Sequence, residues 1–149
     1  MQSTLILENP MRSLMCVASV LAFLAVAGWV SHSAASDDET PSIEEIMKTL
    51  HKGKMAKLSV VKAELKHESP DWAKVDKAAE VMVKLSGVLA KHDPPRGEKS
   101  SFEKLAKTYH TQSKALEKAA EKEDLKGAQA ALKKIGGTCK ACHTAHKEQ

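Results

Sequence analysis

The chain has 149 residues, enough for one domain, and carries a formal net charge of +4 with 28% of its residues charged and only 3% aromatic. Lysine and glutamate are mixed along it with no lysine block and no aromatic interleaving, which reads as solvated helical faces and speaks against nucleic-acid binding. Its three cysteines, one of them in an N-terminal apolar run, speak equally against a disulfide framework.

The N-terminus reads as an export signal. After Arg12, residues 14–30 carry no charge, and Ser-His-Ser-Ala-Ala-Ser and the acidic Asp37, Asp38 and Glu39 follow. A positive region, an apolar stretch and small residues, in that order, describe a secretory leader. Ser33 and Ala35 place cleavage after Ala35, so residues 1–35 are expected to leave and residues 36–149 to form the exported, periplasmic domain. The alternative is retention as a membrane anchor, since the run approaches the lower limit of about 17 residues for a spanning helix. Translation from Met11 gives a more usual leader than translation from Met1, and Cys16, with no small residue before it, departs with the leader.

Abundant Ala, Leu and Lys with few β-branched clusters then favour helices over strands. The first helix is expected over 42–66, capped by Thr40 or Ser42, with Glu44 and Glu45 near its positive end. Ile43, Ile46, Met47, Leu50, Met55, Leu58, Val61 and Leu65 recur at helical spacing, while Gly53 weakens the middle. The second is expected over 71–91, with Ser69 as cap and Pro70 at the first helical position, and with Trp72, Val75, Ala79, Met82, Leu85 and Leu89 as its stripe.

Asp93-Pro-Pro-Arg-Gly97 stops that helix, because neither proline continues the hydrogen-bond ladder. Ser100 and Glu103 form a capping-box signature for the third helix, which buries Phe102, Leu105, Tyr109, Leu116 and Ala120. Asp124 caps the fourth, which bears Leu125, Ala128, Leu132 and Ile135. The fold class expected is all-α, an antiparallel four-helix bundle that buries all four stripes together. A helical hairpin that pairs with a second chain is the alternative.

The fourth helix ends in Cys139-Lys-Ala-Cys-His143. Positions three and four apart share a helical face, so both thiols and the imidazole address one flat ligand. This is the spacing of covalent haem attachment: Cys139 and Cys142 form thioethers to the vinyl groups, and His143 is placed to ligate iron. Three other readings compete. A thioredoxin-like redox pair needs this motif at a helix start in an α/β fold. A zinc site from Cys139, Cys142, His143 and His146 has suitable ligand types, but eight residues of one helix do not readily surround a tetrahedral ion. The third is a structural disulfide.

From Asp124 to Lys147 the chain resembles the class II c-type cytochromes, the cytochrome c' family. The acidic cap, the Ala-rich helix, Ile135-Gly-Gly-Thr-Cys-Lys-Ala-Cys-His143 and the terminal Lys147 carry the resemblance, with His146 where the family has an aromatic residue. It implies a four-helix bundle with the haem motif near the C-terminus, one covalent haem c held by Cys139 and Cys142, and His143 as proximal iron ligand. It also implies a sixth coordination position facing the first helix. That position is filled by methionine in low-spin members and left open in gas-binding ones. Met47, in Met47-Lys-Thr-Leu50, stands where the low-spin methionine would be, although Ile43 replaces the arginine common one turn earlier. His51 shares the face of Met47 and is the alternative distal ligand. Dimerisation through the first two helices is a further implication, with Met55, Val61 and Met82 as contributors.

With no acid/base pair, nucleophile constellation or phosphate loop in evidence, the expected function is one-electron transfer with redox partner proteins, not catalysis. The alternative is a five-coordinate haem that captures nitric oxide or carbon monoxide. Lys140 and Lys147 are expected to steer acidic partners. Met55 and Met82 are expected to fill core, and His67, His92 and His110 to be solvated.

Overall fold

The computed structural model describes residues 40–147. The expected leader at 1–35, its two candidate start sites and Cys16 lie outside the described residues. Within them are five helices and no strand: α1 (Ile43–His51), α2 (Lys57–Glu64), α3 (Trp72–Leu89), α4 (Lys99–Glu121) and α5 (Leu125–His146). The all-α bundle expected from the sequence is the fold observed.

The first expected helix is two helices. Lys52 leaves α1 in an extended conformation, and Gly53 takes φ +94°, a left-handed value that favours glycine. The chain resumes helical geometry only at Lys57. The break moves Met55 off the stripe, so that it is 81% exposed instead of filling core, whereas Ala56, Leu58, Val61 and Leu65 are buried behind it. Met82 does fill core.

Helix starts follow local chemistry more than the sequence pattern alone indicates. Ser42 caps α1 in a reciprocal box: its hydroxyl accepts from the Glu45 amide at 3.3 Å, and its own amide donates to Glu45 Oε2 at 2.9 Å. For α3 the cap is Asp71, which accepts from the Lys74 amide at 3.2 Å, and not Ser69; Pro70 lies buried outside the helix. The Ser100–Glu103 box does not form either, because α4 already starts at Lys99 behind Glu98. Asp124 caps α5 as expected, accepting from the Gly127 amide at 3.0 Å.

One apolar core runs through the bundle. Ile46 and Leu50 of α1 meet Val61 of α2, Val75, Ala79 and Met82 of α3, Leu116 of α4 and Ile135 of α5, all fully buried. Each such large side chain contributes about 1.5–3 kcal/mol by leaving water. Small residues line the α4–α5 contact, with Ala119 and Ala120 facing a helix that buries Ala128 and Ala131, so the two backbones approach closely. Buried polar atoms in the helix interface are paired: Ser86 donates to the Val83 carbonyl and accepts from His110 Nδ1 at 3.1 Å. His110 is therefore half-buried between α3 and α4, not solvated, and His92 likewise buries its Nε2, without a partner there. His67 is exposed.

Candidate functional site

α5 carries the candidate residues on its last turns. Helical spacing sets Cys139, Cys142 and His143 side by side, with both cysteines half-buried free thiols and His143 exposed. They line one cleft together. Leu89 of α3 and Leu105 and Ala106 of α4 form its apolar floor, and Met47 and His51 of α1 form the wall opposite α5. Met47, His51, Cys142 and His143 also border an outer depression whose lining includes Lys48, Lys52 and Lys147. The structure thus brings together at one cleft all five candidate residues named from the sequence, although Met47 and His143 lie at opposite ends of the described chain.

Burial sets the protonation of the site. It raises the thiol pKa of Cys139, with the neighbouring Cys142 adding to the effect, and raises that of Cys142 as well. His51 is pushed down to about 4, mainly by burial and then by the charges of His143 and Lys62, so its imidazole is neutral at pH 7. Tyr109 is shifted upward by burial, which keeps its hydroxyl protonated.

The C-terminal turn of α5 is clamped by residues whose role the sequence does not reveal. His146 is 3% exposed and stacks edge-on against Phe102, with ring centroids 5.5 Å apart. Its Nδ1–H donates to the Arg96 carbonyl at 2.9 Å, which leaves Nε2 to accept from the Ser101 hydroxyl at 3.2 Å. Arg96 in turn donates to the Thr144 carbonyl at 2.7 Å, satisfying an acceptor that the helix end leaves open. Gly97 takes φ +77°, and a Cβ there would lie 3.0 Å from both the Ala145 carbonyl and His146 Nδ1. The Pro-Pro-Arg-Gly loop is more than a helix stop: it holds the end of α5.

These contacts remove the zinc alternative, since His146 is spent on Arg96 and Ser101. Among the described residues no group of three or more His, Cys, Asp or Glu gathers in a way that holds a metal ion. Cys139 and Cys142 are not bonded to each other, and the thioredoxin-like reading fails because the motif closes a helix in an all-α fold.

Compared with known proteins, residues 43–147 match the family model for cytochrome C'. A solved structure, cytochrome c' from Thermochromatium tepidum, superimposes with a TM-score of 0.51 at 23% identity, covering 62% of this chain and 84% of that one. No curated protein matches the chain.

Proposed function

The chain belongs to the cytochrome c' family, and from that premise we propose that it is an exported, periplasmic monohaem cytochrome that passes single electrons between redox partner proteins. The family's covalent haem c supplies the one-electron iron couple when bound. The residues present fit that group. Two thiols and an imidazole stand on one helical face, and an apolar floor lies beside them. In the reading proposed, Cys139 and Cys142 hold the haem by thioether bonds through their Sγ atoms, and His143 serves as the proximal ligand.

The observation that carries electron transfer is Met47, which lines the same cleft as His143 but from α1. Met47 would offer a soft sulfur ligand to the group, and such a ligand would favour reduced iron and raise the potential. Leu89, Leu105 and Ala106 exclude water from the inner face of the cleft. Lys48, Lys52 and Lys147 in the outer depression, with the exposed Lys140 beside the motif, present positive charge to an acidic partner. The experiment is absorption spectroscopy of the haem-loaded protein, oxidised and reduced, with and without carbon monoxide. Sharp reduced bands, a sulfur-to-iron charge-transfer band when oxidised and indifference to carbon monoxide are expected. Broad high-spin bands that sharpen with carbon monoxide would instead assign the protein to capture of nitric oxide or carbon monoxide.

A further inference from the structure

Met47 and His51 stand one turn apart on α1 and line the same cleft, so two side chains compete for one coordination position. Imidazole is normally the stronger competitor at an iron site, and it reaches iron through a ring-nitrogen lone pair. The Nε2 of His51 lies 3.4 Å from the hydroxyl of Tyr109 on α4, with the ring centroids 5.9 Å apart and tilted by 44°. Either tautomer of this hydrogen bond has the same consequence. If the tyrosine O–H donates, the Nε2 lone pair is spent; if Nε2–H donates, no lone pair exists there. Nδ1, close to the backbone of α1, is the harder atom to bring to a metal.

The tyrosine has its own need for the contact. Tyr109 is 4% exposed, and a buried phenol hydroxyl requires a partner. Swinging His51 toward the cleft centre would cost Tyr109 this contact and leave Ser113, one turn along α4, as its remaining side-chain partner. We propose that Tyr109 is a positioning residue that keeps His51 off the iron, reserving the coordination position on the α1 side for Met47. The inference rests on the reading that haem occupies this cleft, but the restraint on His51 holds whether Met47 ligates or the position stays open.

The test uses the haem-loaded protein and Tyr109→Phe, which removes the hydroxyl and keeps the ring. The expected result is a second imidazole on iron: loss of the sulfur-to-iron band, a low-spin bis-imidazole paramagnetic resonance spectrum and a downward shift of the midpoint potential. Adding His51→Ala to Tyr109→Phe should restore the spectrum of the unmodified protein, a rescue that a general loosening of the fold does not produce. His51→Ala alone checks only that His51 is not already the ligand; if Tyr109→Phe is poorly recovered, Tyr109→Leu, which also lacks the hydroxyl, takes its place with the same expected and overturning outcomes. An unaltered spectrum in Tyr109→Phe overturns the inference, as does loss of low-spin iron in His51→Ala. If the unmodified protein is open and binds carbon monoxide, the Met47 reading fails. The inference then still stands if Tyr109→Phe closes the iron and abolishes that binding, and falls if it does not.

Discussion

The two walls of the cleft are built to different standards. The α5 wall belongs to a 22-residue helix, capped at its start by Asp124 and clamped at its end by His146 and Arg96, with Gln129 also donating to the Leu65 carbonyl at 2.9 Å. The α1 wall is a nine-residue helix that buries only Ile46 and Leu50, is followed by a left-handed glycine, and is tied to α4 through the Tyr109–His51 contact. An isolated helix of nine residues is marginal in water. The difference teaches that the side bearing Cys139, Cys142 and His143 is held by residues far apart in the chain, while the side bearing Met47 and His51 rests on a local cap, two buried side chains and one tertiary hydrogen bond.

Four perturbations break or sharpen this contrast. His146→Ala should have the largest effect, destabilising the haem-loaded protein by about 2–4 kcal/mol in a denaturant titration, because it opens space beside Phe102 and orphans two partners. His146→Phe should recover the packing share and leave a deficit of about 1–2 kcal/mol from the lost hydrogen bonds. A silent His146→Ala would mean that the clamp does not fix the α5 wall.

Gly97→Ala attacks the same clamp from the loop. It forces a Cβ onto a left-handed residue and against the Ala145 carbonyl, and should destabilise the protein by about 1–3 kcal/mol. Equal stability by thermal denaturation would show that the loop relaxes freely. On the other wall, Ser42→Ala should remove about 1 kcal/mol of cap stabilisation. Hydrogen exchange should read this as faster exchange confined to α1 amides, with α5 unchanged; acceleration in both helices would erase the contrast.

The smallest effect is acid sensitivity of α1. Backbone and side-chain hydrogen bonds from Ser42 hold the Glu45 carboxyl below the usual carboxylate range. A group lowered on folding contributes stability that is complete above its unfolded value and is lost as pH falls through its folded value. Protection of α1 amides should therefore decline from about pH 4 downward, and Glu45→Gln should flatten that decline. An unchanged pH profile in Glu45→Gln would remove the box from the account of α1.

The α5 wall was legible in the sequence because its content is local. The spacing of Cys139, Cys142 and His143 and the Asp124 cap are short-range features that any helix converts into a shared face and a defined start. Gly53 marked a weakness in the first helix, but the pattern carried on through Met55, and only the observed turn shows that residue turned out to solvent. The Ser69 and Ser100 caps were misread for a related reason: several residues near each start are chemically competent, and the loop geometry selects among them.

The sequence by itself determined the all-α class, the helix periodicities, the cysteine and histidine face of α5 and the placement of Met47 and His51 on one face of α1, since each follows from spacing along a single helix. The tertiary structure alone decided that Tyr109 meets His51 across 58 positions, and that Arg96, Gly97 and Ser101 seize His146 across 45 to 50. Contacts between helices depend on how the buried stripes rotate and slide against one another, and neither the periodicity nor the capping residues of any one helix encode that register.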